Sequence, residues 1–391
     1  MVRLHSGLEE FLCRPPGWLK DQRLGLLCNP ASVDQSFRHA LELLKDRTPG
    51  RLTAVFSPQH GFWAEKQDNM IESDDSVDPL SGLPVFSLYG KTRQPDREMF
   101  EGIDTMIIDL QDVGTRVYTF ATTVSYCLEK ARETDRSVLV LDRPNPLNGI
   151  QVEGNLLDSN FASFVGRYPI PMRHGLTLGE LALYINTVYS IHSRLFVIPV
   201  KGWQRQMFFP DTGLAWVPPS PNLPTSSSAL VYPGQVLLEG TNISEGRGTT
   251  TPFEMFGAPF IDQERVLSFM GGRRFPGGIL RPVVFEPMFG KWQHHRCRGF
   301  HLHITDPQSY NSYQTSLRLL QAIIRHHPRE FQWRSPPYEY EWDRLPIDLI
   351  AGSDSLREQL ENMVPVEEMA KKWQAPVENF RKEAARFFLY D

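Results

Sequence analysis

The feature that most constrains this chain is an alternation in its first half, where short apolar β-type runs and stretches of helical spacing follow one another. Leu24 to Cys28 reads as a strand ending at Asn29-Pro30, and Gln35 to Leu44 then places apolar residues at helical spacing. Thr53 to Phe56 is a second strand that runs into Ser57-Pro58-Gln59-His60-Gly61. Thr105 to Leu110 is a third, followed by Gln111-Asp112-Val113-Gly114 and a helix through about Lys130. Ser137 to Leu141 and Phe196 to Val200 continue the series, and Thr177 with Glu180 has the spacing of a capping box ahead of a helix to about Tyr189. Such alternation predicts an α/β fold with an open, Rossmann-like parallel sheet covered by helices. Loops leaving the C-terminal ends of its strands converge on one rim, where ligands bind.

From about Trp216 the pattern changes. Pro218 to Thr225 reads as an inter-domain strap and Leu237 to Pro252 as a dense polar, glycine-rich segment. Strand candidates Val283 to Phe285 and Phe300 to Ile304 follow, then helices near Ser316 to Arg325, Ser353 to Asn362 and Val377 to Phe388. A length of 391 residues exceeds one comfortable core. Residues 1–215 are therefore expected to form the Rossmann-like domain carrying most rim loops, and 216–391 a smaller α+β domain closing a cleft over it.

Composition excludes several classes. Acids and bases are spread along the chain to a net charge of -5, with no lysine-rich arm to neutralise phosphates, so nucleic acid is not an expected partner. No run approaches 18 apolar residues, and the first twenty lack the apolar core of a signal peptide, so membrane insertion is not expected and a cytoplasmic location is. Cys13, Cys28, Cys127 and Cys297 lack CxxC spacing and read as isolated thiols. The first strand is followed by Asn29-Pro30-Ala31-Ser32 in place of Gly-x-Gly-x-x-Gly, and no Walker motif occurs, so no nucleotide cofactor is expected. His294-His295 and His301-x-His303 have no carboxylate or cysteine cluster beside them to complete a metal site.

The candidate chemistry sits on the rim loops. Asp112 follows a strand with Arg116 and Tyr118 close behind; a carboxylate there can carry a proton or orient hydroxyls, and an arginine can grip an acidic substituent. Asp109, nearer the strand, reads as structural. Arg143 and Asn145 lie in the proline-braced loop Asp142 to Gly149, and Glu153 just beyond is a candidate acid or base. His60, and likewise His174 beside Arg173, can exchange protons near neutrality. The densest polar loop holds Glu239, Thr241, Asn242, Glu245, Arg247 and Thr249 among glycines that let backbone N–H groups approach a ligand. Spacing leaves Asp112, Glu153, Glu239 and Glu245 all eligible for a proton-donor and partner pair.

Together these segments resemble the exo-beta-N-acetylmuramidase family of the NamZ type. The resemblance rests on Pro58-x-His60-Gly61, Asp109-x-Gln111-Asp112-Val113-Gly114, Asp142-Arg143-Pro144-Asn145-Pro146, Glu153-Gly154 and Arg173-His174-Gly175. It continues through Ser220-Pro221-Asn222, Glu239-Gly240-Thr241-Asn242 and Gly246-Arg247-Gly248-Thr249, so that it extends from about residue 22 to the C-terminus. It implies a glycoside hydrolase that releases terminal N-acetylmuramic acid from the non-reducing ends of peptidoglycan fragments, without a cofactor and with its site between two domains. The lactyl carboxylate of that sugar would give Arg116, Arg143, Arg173 or Arg247 a purpose. The alternatives are a glycosidase of changed sugar specificity and a non-catalytic binder of cell-wall fragments; oligomeric state is left open. Characterised members of the family commonly read Pro-Glu-His-Gly where this chain has Gln59, and an amide can bind a hydroxyl but cannot donate a proton as a carboxylic acid does. Glu65, Asp68 and Glu72 are candidates to restore the acid from the same loop.

Overall fold

The computed structural model describes residues 4–67 and 70–391. Strands β1 (Leu24–Cys28), β2 (Leu52–Ser57), β3 (Ser76–Val77), β4 (Pro84–Ser87), β5 (Thr105–Asp109) and β6 (Ser137–Leu141) come first. A hairpin of β7 (Glu153–Leu156) and β8 (Pro171–Arg173) precedes β9 (Arg194–Ile198). The first six strands and β9 form one seven-stranded sheet in the order β3-β4-β2-β1-β5-β6-β9. All its pairings are parallel except the antiparallel edge pair β3–β4. This is the mixed, Rossmann-like α/β sheet expected from the alternation, with strand order reversing between β1 and β5.

The central strands are buried on both faces, as parallel strands with helices on either side must be. Leu24, Leu26 and Cys28 pack with Leu8 and Phe11 of the helix Gly7–Cys13 and with Ala40 to Leu44 of the helix Ala40–Arg47. Leu27, Met106, Ile108 and Val138 face the other way, toward Phe120, Val124 and Leu128 of the helix Phe120–Glu133. The capping box at Thr177 is present: its side chain accepts from Glu180 N–H, and the Glu180 carboxylate accepts from Thr177 N–H.

Of the elements that differ from the sequence expectation, three show a local reason. The helix expected from Gln35 begins at Ala40, because Asp34 accepts from the N–H groups of Ser36 and Arg38 and holds that stretch as a turn. The last helix runs Val366–Ala384 straight through Pro376, a residue that reads in sequence as a helix start. Strand β4 is four residues long and opens on a proline, which hides it from periodicity.

Strands β10 (Met255–Ala258), β11 (Arg274–Phe275), β12 (Gly278–Phe285) and β13 (Cys297–Ile304) form a second, antiparallel sheet in the order β10-β13-β12-β11. Helices Ser226–Gln235, Gln263–Met270 and Ser312–His326 pack beside it. The two parts are not separate bodies: one core cluster includes Leu27 and Ile108 of the large sheet as well as Phe256, Phe300 and Leu320. The C-terminal residues return to the first part, where the Tyr390 hydroxyl donates to Asp142 at 2.5 Å and Leu389 N–H to Glu180 at 2.9 Å. No described helix is long and apolar enough to cross a membrane.

Candidate active site

A cavity opens above the C-terminal end of β2 and draws its walls from both parts of the chain. Gln59 and His60 follow β2, and Tyr118 and Thr119 come from the loop after β5. Asn222 belongs to the strap; Glu239 and Arg247 stand on the polar loop, and Tyr338 and Glu339 on a distant turn. At the β1/β5 reversal itself Arg143 is bonded through two nitrogens to Asp109 and the Asn29 amide donates to Pro219 O at 2.9 Å, and a separate cavity beside them is lined by Ala31, Val33, Gln111, Arg143 and Trp216.

Local geometry fixes each wall. His60 has a φ of 79°, which only a well-braced non-glycine residue adopts, and its ring Nδ1 donates to Lys66 O at 2.9 Å. Asn222 donates to Gln67 O at 2.7 Å, binding the strap to the same loop. The Thr119 hydroxyl donates to Gln59 Oε1 at 2.7 Å, so the Gln59 NH2 points onward and donates to Glu339 Oε1 at 3.1 Å. Tyr89 donates to Glu339 Oε2 at 2.6 Å.

The two glutamates in the lining have opposite surroundings. Glu239 Oε1 lies 2.9 Å from Arg247 Nη2, and its Oε2 accepts from the Tyr338 hydroxyl at 2.7 Å. Arg247 also meets Glu245 at 2.8 Å, and Lys291 contacts Glu245 from the far side at 2.8 Å. Burial works against the Glu245 charge, but Lys291 and Arg247 together hold its carboxyl down at about 2. Among the described residues no cation forms an ion pair with Glu339. Burial pushes its carboxyl up to about 7; the Tyr89 and Gln59 donors oppose that rise and the Glu239 charge adds to it. Acid–base chemistry needs a group that still holds its proton near neutrality, and of the two lining glutamates Glu339 is pushed toward that range.

Of the residues singled out from sequence, Gln59, His60, Tyr118, Asn222, Glu239 and Arg247 line this cavity, and the others stand outside its lining. Glu153 is buried against Arg173 and accepts from Tyr313 N–H at 3.1 Å. Arg173 also donates to Leu147 O, and Arg116 binds four carbonyls, those of Asn155, Ile170, Ile350 and Ala351. Asn145 and Thr241 bond to Leu176 O and Leu238 O, and Asn242 and Thr249 to Glu330 O and Gly246 O. These contacts stitch the polar loops to themselves and to neighbouring helices.

Asp112 and His174 are buried beside each other, 3.7 Å apart. Of the loop acids proposed to replace Gln59, Glu65 and Glu72 are exposed, Glu72 accepting from the Tyr340 hydroxyl, and Asp68 lies outside the described residues. Glu339 was not singled out from sequence. Its signal is the Tyr338-Glu339-Tyr340-Glu341-Trp342 run, aromatic and acidic residues alternating in a turn.

A sheet-rim cavity walled by two parts of the chain and holding one arginine-paired glutamate and one whose carboxyl burial pushes up to about 7 defines an α/β enzyme equipped for carboxylate chemistry on a polar ligand. The chain belongs to the exo-beta-N-acetylmuramidase NamZ family. The family's N-terminal model matches residues 24–227 and its C-terminal model residues 230–390. A curated relative, the peptidoglycan beta-N-acetylmuramidase NamZ of Bacillus subtilis, is 39% identical over 388 residues, covering 99% of this chain and 92% of that protein. A crystal structure of a DUF1343 family protein from Bacteroides fragilis superposes with a TM-score of 0.88 at 31% identity, over 100% of both chains. A second DUF1343 protein from the same species gives 0.77 at 29% identity, over 99% of each.

Proposed function

We propose that this chain hydrolyses the terminal glycosidic bond of peptidoglycan fragments and releases N-acetylmuramic acid from their non-reducing ends. The observation that carries the reading is Glu239, set in the cavity with one oxygen against Arg247 and the other against the Tyr338 hydroxyl. Glycoside hydrolysis develops positive charge at the anomeric carbon, and a carboxylate kept ionised beside the ring stabilises or attacks that centre. Arg247 and Tyr338 fix the orientation of the Glu239 carboxylate.

The remaining walls suit a sugar. The amides of Gln59 and Asn222 offer donors and acceptors for hydroxyl and acetamido groups, and Tyr118 offers an aromatic surface. Of the four arginines considered for the lactyl carboxylate, all of them paired internally, Arg247 is the one in the cavity lining, where it also pairs with Glu239 and Glu245. On this reading the chain serves cell-wall recycling, acting in the cytoplasm, and four free cysteines suit a reducing compartment.

The test is release of N-acetylmuramic acid from a disaccharide with that sugar at its non-reducing end, followed by chromatography. Product at a rate proportional to enzyme is expected. No product there, with turnover of another chromogenic glycoside, would overturn the specificity. Saturable fragment binding with no turnover of any glycoside would overturn the enzymatic reading.

A further inference from the structure

We propose that Glu339 is the acid that protonates the departing glycosidic oxygen, standing in the cavity beside the neutral Gln59. The inference rests on the muramidase reading and names the residue that its chemistry still lacks.

Position carries the argument. Glu339 lines the same cavity as Glu239, is 3% exposed, and is the carboxyl that Gln59 touches. Thr119 fixes the Gln59 amide so that its NH2, not its oxygen, faces Glu339, and Tyr89 presents its hydroxyl to the other carboxyl oxygen. An ionised carboxyl has about four acceptor sites and these donors occupy two, so they aim the group and leave a site for the proton it is to donate.

The backbone is committed to this placement. Tyr338 and Glu341 exchange both N–H···O bonds at 3.0 Å, and the two residues between them, Glu339 and Tyr340, have φ of 45° and 67°. That is the φ pattern of a type I′ turn, where Asn-Gly is usual and larger residues are disfavoured. Left-handed backbone at non-glycine residues costs on the order of 1–3 kcal/mol each and persists where surroundings impose it, often at functional sites. Here the Arg93 guanidinium lies between the rings of Tyr89 and Tyr340, and Glu339 N–H points at the Met70 sulfur.

The surroundings set its charge. Burial and the nearby Glu239 charge favour the protonated carboxyl; Tyr89, Gln59 and the more distant Arg93 favour the ionised one. Tyr338 and Tyr232 face it as neutral phenols, both held well above their ordinary range by burial and the nearby glutamates. The balance leaves a proton available near pH 7. In the step itself the Glu339 proton passes to the glycosidic oxygen as the bond from that oxygen to the anomeric carbon breaks. Water supplies hydroxide to the anomeric carbon, and its remaining proton restores Glu339.

The experiment compares two substrates of different leaving group, the muramic-acid disaccharide and 4-nitrophenyl β-N-acetylmuramide, with wild type and Glu339→Gln. An alkoxide leaving group needs the proton and a nitrophenolate does not. Turnover of the disaccharide is expected to fall about a thousandfold, and that of the nitrophenyl substrate by less than about thirtyfold. The basic limb of the wild-type profile near pH 7 should vanish. Equal losses on both substrates, or a retained profile with activity within tenfold, would overturn the assignment. If Glu339→Gln does not fold, Tyr89→Phe carries the test: removing a donor to the carboxylate should move the basic limb to higher pH, and an unmoved limb counts against Glu339. Wild type that ignores both muramic-acid substrates defeats the muramidase reading instead. The same leaving-group comparison on whichever glycoside it does cleave would then still decide Glu339.

Discussion

Arg247 stands between Glu239 and Glu245, with Nη2 2.9 Å from Glu239 Oε1 and Nη1 2.8 Å from Glu245 Oε1. Lys291 closes the far side at 2.8 Å from Glu245, so the two acids and two bases form a neutral chain of which Glu239 and Arg247 face the cavity. Glu239→Gln keeps an acceptor for Tyr338 and leaves Arg247 paired with Glu245. The variant is expected to fold and to lose turnover on the order of a thousandfold, the range for one positioned catalytic group. Steady-state rates with a melting curve check this; turnover within tenfold of wild type would remove Glu239 from the chemistry.

Glu153 tests the opposite role. Its carboxylate meets buried Arg173 and caps the start of the helix Ser312–His326 through Tyr313 N–H. Glu153→Gln strands a buried guanidinium, a change that costs about 3–5 kcal/mol. Urea unfolding should show that loss while turnover per folded molecule stays within about twofold of wild type, the mark of a residue outside the reacting atoms. A stable variant with turnover reduced a hundredfold would return Glu153 to the catalytic set.

Asn222 ties the strap to the loop carrying Gln59 and His60 through its bond to Gln67 O. Asn222→Ala frees that loop and removes a polar group from the lining. KM for the disaccharide is expected to rise about three- to tenfold with kcat little changed, the signature of lost ground-state binding. A fall in kcat at constant KM would place Asn222 in the transition state instead.

The alternation of strands and helices made the large sheet legible, and with it the rim on which Gln59, His60 and Tyr118 sit. Glu239 and Arg247 were visible because glycines and polar residues crowd around them. The same cue also drew in Thr241 and Thr249, which bond to Leu238 O and Gly246 O of their own loop, and Asn242, which bonds to Glu330 O. Density of polar residues marks a complex loop but does not say which side chains face outward from it. Glu339 carried no such mark: it meets Gln59 across 280 positions of sequence and Tyr89 across 250, and periodicity reports only local order. Sequence shows the charges of Arg116 and Arg173 but not their internal partners, four carbonyls for the first and Glu153 with Leu147 O for the second.

Asp112 and His174 are close enough for an ion pair, yet their surroundings keep both largely neutral at mildly acidic pH. Burial pushes Asp112 up to about 7, against the N–H groups of Gly114 and Val113. Burial, with Arg116 and Arg173 nearby, pushes His174 down to about 3. The signs oppose. Asp112 contributes stability that is complete below its ordinary value of 3.8 and is lost as pH rises toward 7, because the unfolded chain releases that proton first. His174 contributes stability that is complete above its ordinary 6.5 and is lost as pH falls toward 3. Asp112→Asn retains an acceptor for Gly114 N–H and deletes the first contribution alone. The unfolding free energy of the variant minus that of wild type should therefore climb between pH 4 and 7, by at most about 1.4 kcal/mol per pH unit, and level off above. Urea titrations at several pH values across that window measure the difference; a constant value would mean that Asp112 is already ionised in the folded protein and pairs with His174 after all.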